Sequence, residues 1–346
     1  MRYLAIDEIK DGMLLAKDLF SNEGRVLLAK GTKLTRAYLK RLKDFGYTHL
    51  YVLDNESDDE LEIMGPVSEV TKAQAIKIVK DTLGEALIVQ SVDLKQMSLV
   101  ADIILDEVLD NNDVIYNMLD LKEHDNYTYV HSVNVCIIST IMGKHLGIPR
   151  DKLKELAMGT LLHDLGMIYI EPEILNKMTD LTPEETKQVQ EHSKLGFERL
   201  RTYAGLSILS AHVAYQHHER EDGSGYPRGL KGDEIHLYAK IAAVADSFDA
   251  MTSNKLYREP LWSHEAIAEL KANAPIKYDR KAVAALSWSV APYPIGSVLL
   301  LSTDEKAVVV NTNRRKTVVQ ILEGKRKNQY LELSKNTELQ ITKRLS

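Results

Sequence analysis

The chain has 346 residues, of which 44% are hydrophobic and 27% charged, and its formal net charge is -6 at pH 7. This length predicts two or three compact units rather than one small core. The mild negative charge and the lack of a wide basic stripe exclude a general nucleic-acid-binding protein, because such a protein must neutralise a phosphate backbone. We therefore expect no DNA partner, whereas a small phosphate ester needs only a local pocket of positive charge.

The cysteine content and the apolar runs indicate the compartment. The single cysteine, Cys136, rules out a disulfide framework within the chain and a thiolate metal cluster. Its apolar neighbours predict a buried thiol. Residues 1–8 lack the apolar region of a signal peptide, and no run of about 18 apolar residues occurs. We expect a cytoplasmic protein that does not span a membrane.

Residues 1–60 are predicted to form a small α+β domain. Strands are expected at 13–16 and 25–28 on either side of a hairpin-like turn, and a further strand at 48–53. Thr35 is a candidate N-cap for a helix over 36–45. An acidic linker follows at 54–60, as is usual for a solvated run of charge. We expect this domain to be regulatory or to bind other proteins.

Residues 61–285 are predicted to form a helical domain, because apolar residues recur three and four apart. Seven to nine helices are expected, and Thr182 followed by Pro183 is one candidate helix start. Residues 286–346 change to a strand pattern at 298–302, 307–310 and 317–322, which predicts a small β-rich appendage. The predicted fold class is mainly α: a helical bundle between a small α+β domain and a β appendage.

The candidate metal ligands are histidines and aspartates of the helical domain. Successive members are 25 to 32 residues apart, the length of a helix, a turn and a returning helix, so they can meet at one level of a bundle. Neighbouring ligands on a helix diverge by about 100°, and one aspartate could bridge two ions. Nitrogen and carboxylate donors without sulfur favour Fe, Mn, Zn, Ni or Co over Ca or Mg. The candidate ligands are His131, His163, Asp164, His192, His217, His218 and Asp246.

The other six histidines lack that context and are predicted to be structural or at the surface. They are His49, His124, His145, His212, His236 and His264.

Five sequence blocks, in this order and spacing, resemble the HD-GYP phosphodiesterases. They are YTYVHSVNV at 127–135, HDLG at 163–166, HHER at 217–220, DGSGYP at 222–227 and ADSFDAMTS at 245–253. The histidine-aspartate doublet alone is a weak signal, but the five blocks together are specific. The resemblance covers roughly residues 120–275.

The resemblance implies an HD-type helical domain that hydrolyses cyclic di-GMP, a bacterial second messenger, to the linear dinucleotide pGpG by a metal-bridging hydroxide. Two divalent transition-metal ions, Fe or Mn, would be bound. The first would be held by His131, His163, Asp164 and Asp246. The second would be held by Asp164, His192, His217 and His218, so that Asp164 bridges the ions and is the catalytic residue.

The family also implies substrate contacts in a loop and at two cations. By position these residues are Gly225, Tyr226, Pro227, Lys255 and Arg258. Lys255 stands where the family usually has arginine, so a bidentate grip on phosphate would be lost while the charge remains.

The sequence departs from the family pattern in ways that keep alternatives open. Met167 replaces the lysine that normally ends the HD-x-G-K block, and Glu171-Pro172 replaces a common Ile-Pro-Asp order. The main alternative is therefore a cyclic-dinucleotide-binding regulatory module with little turnover. A nucleotide phosphohydrolase of the HD type is disfavoured by the Gly225-Tyr226-Pro227 block.

Some family members bind a third ion through a glutamate one helical turn before the first histidine. That position is Tyr127 here, and Glu123 and Asp125 do not fall on the same helical position. We expect two ions, with hydrolysis mainly stopping at the linear dinucleotide. Signalling proteins that bind the N-terminal domain and a homodimer are the further partners expected.

Overall fold

In the computed structural model, the N-terminal segment, the helices and the C-terminal sheet are described with gaps. The described residues are 1–20, 26–45, 47–53, 65–89, 91–111, 116, 127–175, 177, 179–253, 260–274, 276–313, 316–333 and 339–345, with the side chains at 87–89 and 127 left aside.

The N-terminal segment is a small α+β structure, as predicted. Its elements are β1 (Arg2–Ala5), β2 (Leu14–Leu15), β3 (Leu19–Phe20), β4 (Val26–Leu28), α1 (Arg36–Asp44) and β5 (His49–Leu53). The antiparallel sheet has the order β1-β5-β2, and β3 pairs with β4. Thr35 caps α1 by accepting a hydrogen bond from the backbone N–H of Tyr38, which confirms the predicted helix start.

The strand pairing in this segment differs from the predicted hairpin between 13–16 and 25–28. Leu15 is fully buried in β2, which pairs with β5, whereas Val26 in β4 is 52% exposed. The buried strand therefore joins the sheet over the core. The more exposed β4 pairs with the short β3 instead.

The C-terminal segment is an antiparallel sheet of five strands in the order β10-β6-β7-β8-β9. The strands are β6 (Val298–Leu301), β7 (Lys306–Thr312), β8 (Thr317–Ile321), β9 (Tyr330–Leu333) and β10 (Ile341–Arg344). Inward-facing residues of β6, β7 and β8, such as Leu299, Val309 and Ile321, are fully buried. The edge strands β9 and β10 were not predicted, because each spans only four residues, although Leu331, Leu333 and Ile341 pack against the buried cluster.

Both terminal segments belong to one compact unit, which comprises Met1–Ala73, Asp113–Tyr127 and Val290–Ser346. The backbone N–H of Tyr3 donates to the carbonyl of Gly296, at 2.9 Å. Met1, Tyr3 and Ile295 share one buried apolar cluster. The division at residues 60 and 286, made from sequence pattern, stays a prediction.

The second unit, Gln74–Asn112 with Thr128–Ser289, is helical. Its helices are α2 (Glu69–Val89), α3 (Leu94–Asp110), α4 (Tyr127–His145), α5 (Arg150–Leu161), α6 (Pro172–Leu175), α7 (Pro183–Gln190), α8 (His192–Leu200), α9 (Ile208–Gln216), α10 (Leu237–Thr252), α11 (Ser263–Asn273) and α12 (Arg280–Ser289). Over the described residues this exceeds the predicted seven to nine helices, because α6 is a single turn and Glu191 alone separates α7 from α8.

Local sequence explains how these helices start and which lie at the centre. Thr182 and Glu185 form a capping box at the start of α7, which confirms the predicted N-cap. Residues 130–142 of α4 are buried throughout, and α10 is buried along most of its length. A helix that is apolar on every side belongs in a core. Cys136 lies in α4 and is buried, as expected.

The architecture confirms the predicted mainly α fold class with flanking α+β and β segments. None of the described helices combines the length and the apolarity that crossing a bilayer requires.

A close contact between α5 and α9 gives the first prediction. A Cβ at Gly159 would lie 2.6 Å from the Val213 side chain and 2.9 Å from the Ser210 carbonyl oxygen. We expect Gly159→Ala to lower the free energy of unfolding by about 1–3 kcal/mol, measured by chemical denaturation. Gly84→Ala is the control, because nothing lies within 4 Å of its Cβ position. That change should be neutral or stabilise by up to about 1 kcal/mol; equal losses in both variants would contradict the packing argument.

Candidate metal centre

The candidate ligands come together from five segments of the helical unit, and the two doublets follow helix ends. His163 and Asp164 lie just beyond the end of α5. His217 is the C-cap of α9, and His218 comes next. The sequence argument had placed these doublets within helices, which the structure corrects. Because the helix has already ended, adjacent side chains are free to face one centre. The remaining ligands are His131 in α4, His192 at the start of α8 and Asp246 in α10.

Backbone carbonyls at helix ends orient three of the imidazoles. In each case Nδ1 donates to the carbonyl three residues earlier, near the end of a helix, and Nδ1 of His217 also lies 3.1 Å from the carbonyl oxygen of Val213. A neutral imidazole that donates through Nδ1 presents an unprotonated Nε2. The pairs are His163 with Thr160 at 2.8 Å, His192 with Val189 at 2.6 Å and His217 with Ala214 at 3.0 Å.

The carboxylate of Asp164 lies among four imidazoles and divides them into two pairs. One oxygen, Oδ2, faces the Nε2 atoms of His131 and His163, and the other, Oδ1, faces those of His192 and His217. The distances are 3.9 Å to His131, 3.4 Å to His163, 3.4 Å to His192 and 3.6 Å to His217. Asp164 therefore stands where a bridge between two ions would stand.

Asp246 closes the cluster on the opposite side. Its Oδ1 lies 3.2 Å from Nε2 of His131, and its Oδ2 lies 4.0 Å from Nδ1 of His218. The structure thus brings Asp246 beside the pair formed by His131 and His163, as the sequence predicts, and also towards His218.

The donor atoms fit divalent transition-metal ions. Nε2 of His163 is buried and makes no hydrogen bond within the described part of the chain. The Nε2 atoms of His192 and His217 face each other at 3.3 Å, although both rings donate through Nδ1. The Ser193 hydroxyl lies 3.3 Å from Nε2 of His192, and a metal ion beside the two nitrogens would bind both lone pairs. The donor atoms within 4.8 Å of one another form two groups that share Asp164: Asp164 with His192, His217 and His218, and Asp164 with His131 and His163.

The protonation states of three candidate histidines and of Asp164 suit metal binding. Burial lowers the pKa of His163 to about 4, and burial also lowers the pKa of His192 and of His218. Burial would raise the pKa of Asp164, but the surrounding histidines hold it well below its usual range. Neutral imidazoles and ionised carboxylates are the forms that bind metals.

His131 is oriented differently from the other ligands, by a residue outside the predicted ligand set. Its Nδ1 lies 2.6 Å from Oδ2 of Asp249, a fully buried residue in α10. Burial alone would lower the pKa of His131, but hydrogen bonds to Asp246 and Asp249 raise it to about 10. The sequence carried a signal for Asp249: it follows Asp246 by three residues, which is the spacing of neighbours on one helix face.

The loop around Gly225 brings an aromatic ring onto the cluster. A Cβ at Gly225 would collide with the His218 carbonyl and with Glu219, so the loop passes this close only with glycine. The ring of Tyr226 stacks on the imidazole of His218, with centroids 4.6 Å apart. Pro227 is exposed.

The buried Glu219, also missed from sequence, fixes this loop. Its carboxylate oxygens accept hydrogen bonds from the backbone N–H groups of Arg228, at 2.8 Å, and Leu230, at 2.9 Å. The side chain is 2% exposed, so both oxygens need these partners.

Other predicted site residues lie outside this description or away from the cluster. Lys255, Arg258 and His124 fall outside the described residues. Among the remaining histidines, His145 stacks on Trp288, and His236 caps α10.

The chain is similar in sequence to known proteins. The HD domain family matches residues 113–282. A cyclic di-GMP phosphodiesterase of Pseudomonas aeruginosa is 31% identical over 258 residues, 75% of this chain and 61% of that protein. A cyclic di-GMP phosphodiesterase of Thermotoga maritima is 40% identical over 172 residues, 49% of this chain and 46% of that protein.

A third relative is named for a different cyclic dinucleotide. A 3′3′-cGAMP-specific phosphodiesterase of Vibrio cholerae is 34% identical over 163 residues, 47% of this chain and 37% of that protein. The chain spans less than two thirds of the length of each of these three relatives.

The position of Asp164 between the two imidazole pairs gives the second prediction. Asp164→Ala should remove bound metal from both groups, because each group loses an oxygen ligand and its charge balance. Elemental analysis of the purified protein measures the metal content. Asp106→Ala, which removes a surface partner of Arg150, is the control and should retain the metal. Full metal content in the Asp164 variant would refute the bridging position.

Proposed function

We propose that the chain is a metal-dependent phosphodiesterase of the HD-GYP family that opens cyclic di-GMP to linear pGpG. The single observation that carries this proposal is the carboxylate of Asp164, whose two oxygens each face two imidazoles. The substrate class rests on the relatives named above, two of which are named for cyclic di-GMP.

The residues of this chain would hold two divalent ions, Fe or Mn, in the groups predicted from sequence. Such ions lower the pKa of a bound water and polarise a phosphoryl oxygen. Asp164 holds the two imidazole pairs at one centre, and Asp246 lies opposite it. The helix-end carbonyls keep three rings from rotating, so the donor atoms stay aimed at that centre.

Tyr226 is suited to contact a phosphate of the substrate. Burial and the charges of Asp246 and Asp164 raise the pKa of its phenol, so the hydroxyl keeps its proton at neutral pH. A protonated phenol can donate a hydrogen bond to a phosphoryl oxygen. Its stacking on His218 and the anchoring of the loop by Glu219 fix the ring beside the ligands. Gly225, Pro227, Lys255 and Arg258 complete the proposed substrate site on the strength of the family pattern.

The proposed reaction consumes one water and breaks one of the two phosphodiester bonds of the ring. The product is a linear dinucleotide that keeps one terminal phosphate. Tyr127 opens α4 one turn before His131. A phenol with an ordinary pKa of about 10 is a poor ligand for a third divalent ion. With two ions, we expect the second cut, to GMP, to be slow.

The third prediction tests this function directly. Protein loaded with Mn²⁺, or with Fe²⁺ without oxygen, is incubated with cyclic di-GMP or with 3′3′-cGAMP, and the products are identified by mass spectrometry. We expect two ions per chain, rapid formation of pGpG and slow formation of GMP. Three ions, or GMP as the main early product, would contradict the two-ion proposal. Faster cleavage of 3′3′-cGAMP would change the assigned substrate.

Met167 is the observation that favours the second candidate, a cyclic-dinucleotide-binding module with little turnover. It lies half-buried in the 3₁₀ turn that follows Asp164, where the family has lysine. The change removes a cation that could face a phosphate. All candidate ligands nevertheless come together in this structure, which favours the enzyme. Binding of cyclic di-GMP without turnover by the metal-loaded protein would support the module instead.

The fourth prediction restores the missing charge. Met167→Lys should raise kcat/KM about ten-fold, which corresponds to about 1.4 kcal/mol of transition-state stabilisation. Tyr169→Lys, in the same turn but 40% exposed, adds the same charge at the surface and should have a smaller effect. An unchanged or lower kcat/KM for the Met167 variant would show that the site does not use a cation there.

Binding of signalling proteins by the N-terminal domain, a homodimer and a cytoplasmic location remain predictions from the sequence.

A further inference from the structure

Four of the candidate histidine ligands differ in the group that contacts Nδ1, the ring nitrogen that faces away from the centre of the cluster. Three imidazoles donate through Nδ1 to neutral backbone carbonyls. His131 instead contacts the carboxylate of Asp249 at 2.6 Å, a short distance typical of a charge-assisted hydrogen bond. Of these four rings, only His131 therefore has an acidic side chain as its outer partner.

The place of His131 in the chain explains why it needs a side-chain acceptor. It lies within α4, where carbonyls of the preceding turn serve the helix itself. The carbonyl of Thr128, three residues earlier, also accepts a hydrogen bond from the Ser132 hydroxyl. The three rings near helix ends have a carbonyl within reach of Nδ1, whereas the His131 ring contacts a carboxylate.

Hydrogen bonds from α4 and from the end of α10 hold the side chain of Asp249 in place. Nδ2 of Asn134, in α4, donates to its Oδ1 at 3.0 Å. The hydroxyl of Ser253, which follows α10, donates to its Oδ2 at 3.2 Å and to its backbone carbonyl. The carboxylate is fully buried, so its orientation towards His131 is set by these partners.

We propose that Asp249 is a positioning residue that strengthens metal binding selectively at the group around His131. It fixes the ring so that Nε2 faces Asp164 and Asp246, and its negative charge makes that nitrogen a stronger donor. Within the described residues, the outer partners of the His192 and His217 rings are neutral backbone carbonyls. The two metal positions are therefore unequal. This inference rests on the proposed metal centre.

The fifth prediction concerns Asp249→Asn. The variant keeps the size of the side chain and an oxygen for the His131 ring, and the Asn134 amide can rotate to accept the new N–H. Metal-free protein is titrated with Co²⁺ in the presence of a competing chelator, and absorption spectra record the binding. We expect one of two binding phases to weaken by about 10–100-fold, with a changed Co²⁺ spectrum, while the other keeps its affinity. His131→Ala should remove the same phase.

Glu305→Gln is the matched control. Glu305 is a buried carboxylate of the other compact unit, where it pairs with Arg326. Its neutralisation should leave the affinity of both phases unchanged. If it weakens the same phase, the effect of Asp249 comes from general loss of charge, and the inference is wrong. If Asp249→Asn fails to fold, as judged by circular dichroism, Asp249→Ser is measured with the same expected result.

The outcomes separate this inference from the proposed function, because no nucleotide is added. Equal weakening of both phases, no weakening, or fewer than two phases in the unaltered protein would overturn the role of Asp249. Selective weakening supports it even if the protein fails to hydrolyse cyclic di-GMP. Hydrolysis with equal weakening would leave the function standing and reject the inference.

Discussion

The helical unit is organised around the meeting of unprotonated imidazole nitrogens and a buried carboxylate. The Nε2 atoms of His192 and His217 lie 3.3 Å apart, and that of His163 makes no hydrogen bond in the described chain. Buried polar atoms without partners are costly, and a cation is the group that would satisfy all of them at once. Folding of this unit and binding of metal should therefore be thermodynamically coupled.

Close backbone contacts hold the ligands at this centre. Gly166 follows Asp164 by two residues, and a Cβ there would overlap the backbone carbonyl of His192. The turn that carries Asp164 is thereby packed directly against the start of α8. Gly225 plays the same part for the loop that carries Tyr226. The glycines of the two sequence blocks fix distances between ligands, whereas the histidines and aspartates supply the chemistry.

The sequence indicated which residue types form the site, but not where these residues lie relative to the ends of the helices. Spacing between the histidines indicated a helical meeting point, because a helix, a turn and a second helix return the chain to the same level. It could not show that Asp164 and His218 follow helix ends, since apolar periodicity does not locate the last turn. Strands β9 and β10 were missed because each spans only four residues, too few for a clear alternating pattern. The pairing of β2 with β5 depended on tertiary burial of Leu15.

The contact between Asp249 and His131 shows that the position of a histidine relative to a helix end affects which group contacts its second ring nitrogen. A histidine just after a helix can use a carbonyl of the last turn as its outer partner, and no further residue is required. His131, inside α4, instead contacts a side chain of the helix that also supplies Asp246. Three residues separate Asp246 from Asp249, so one face of α10 presents a carboxylate to each nitrogen of the ring. In this chain, the candidate ligand inside a helix is thus paired with a carboxylate one turn from another candidate ligand, whereas the imidazoles near helix ends use backbone carbonyls.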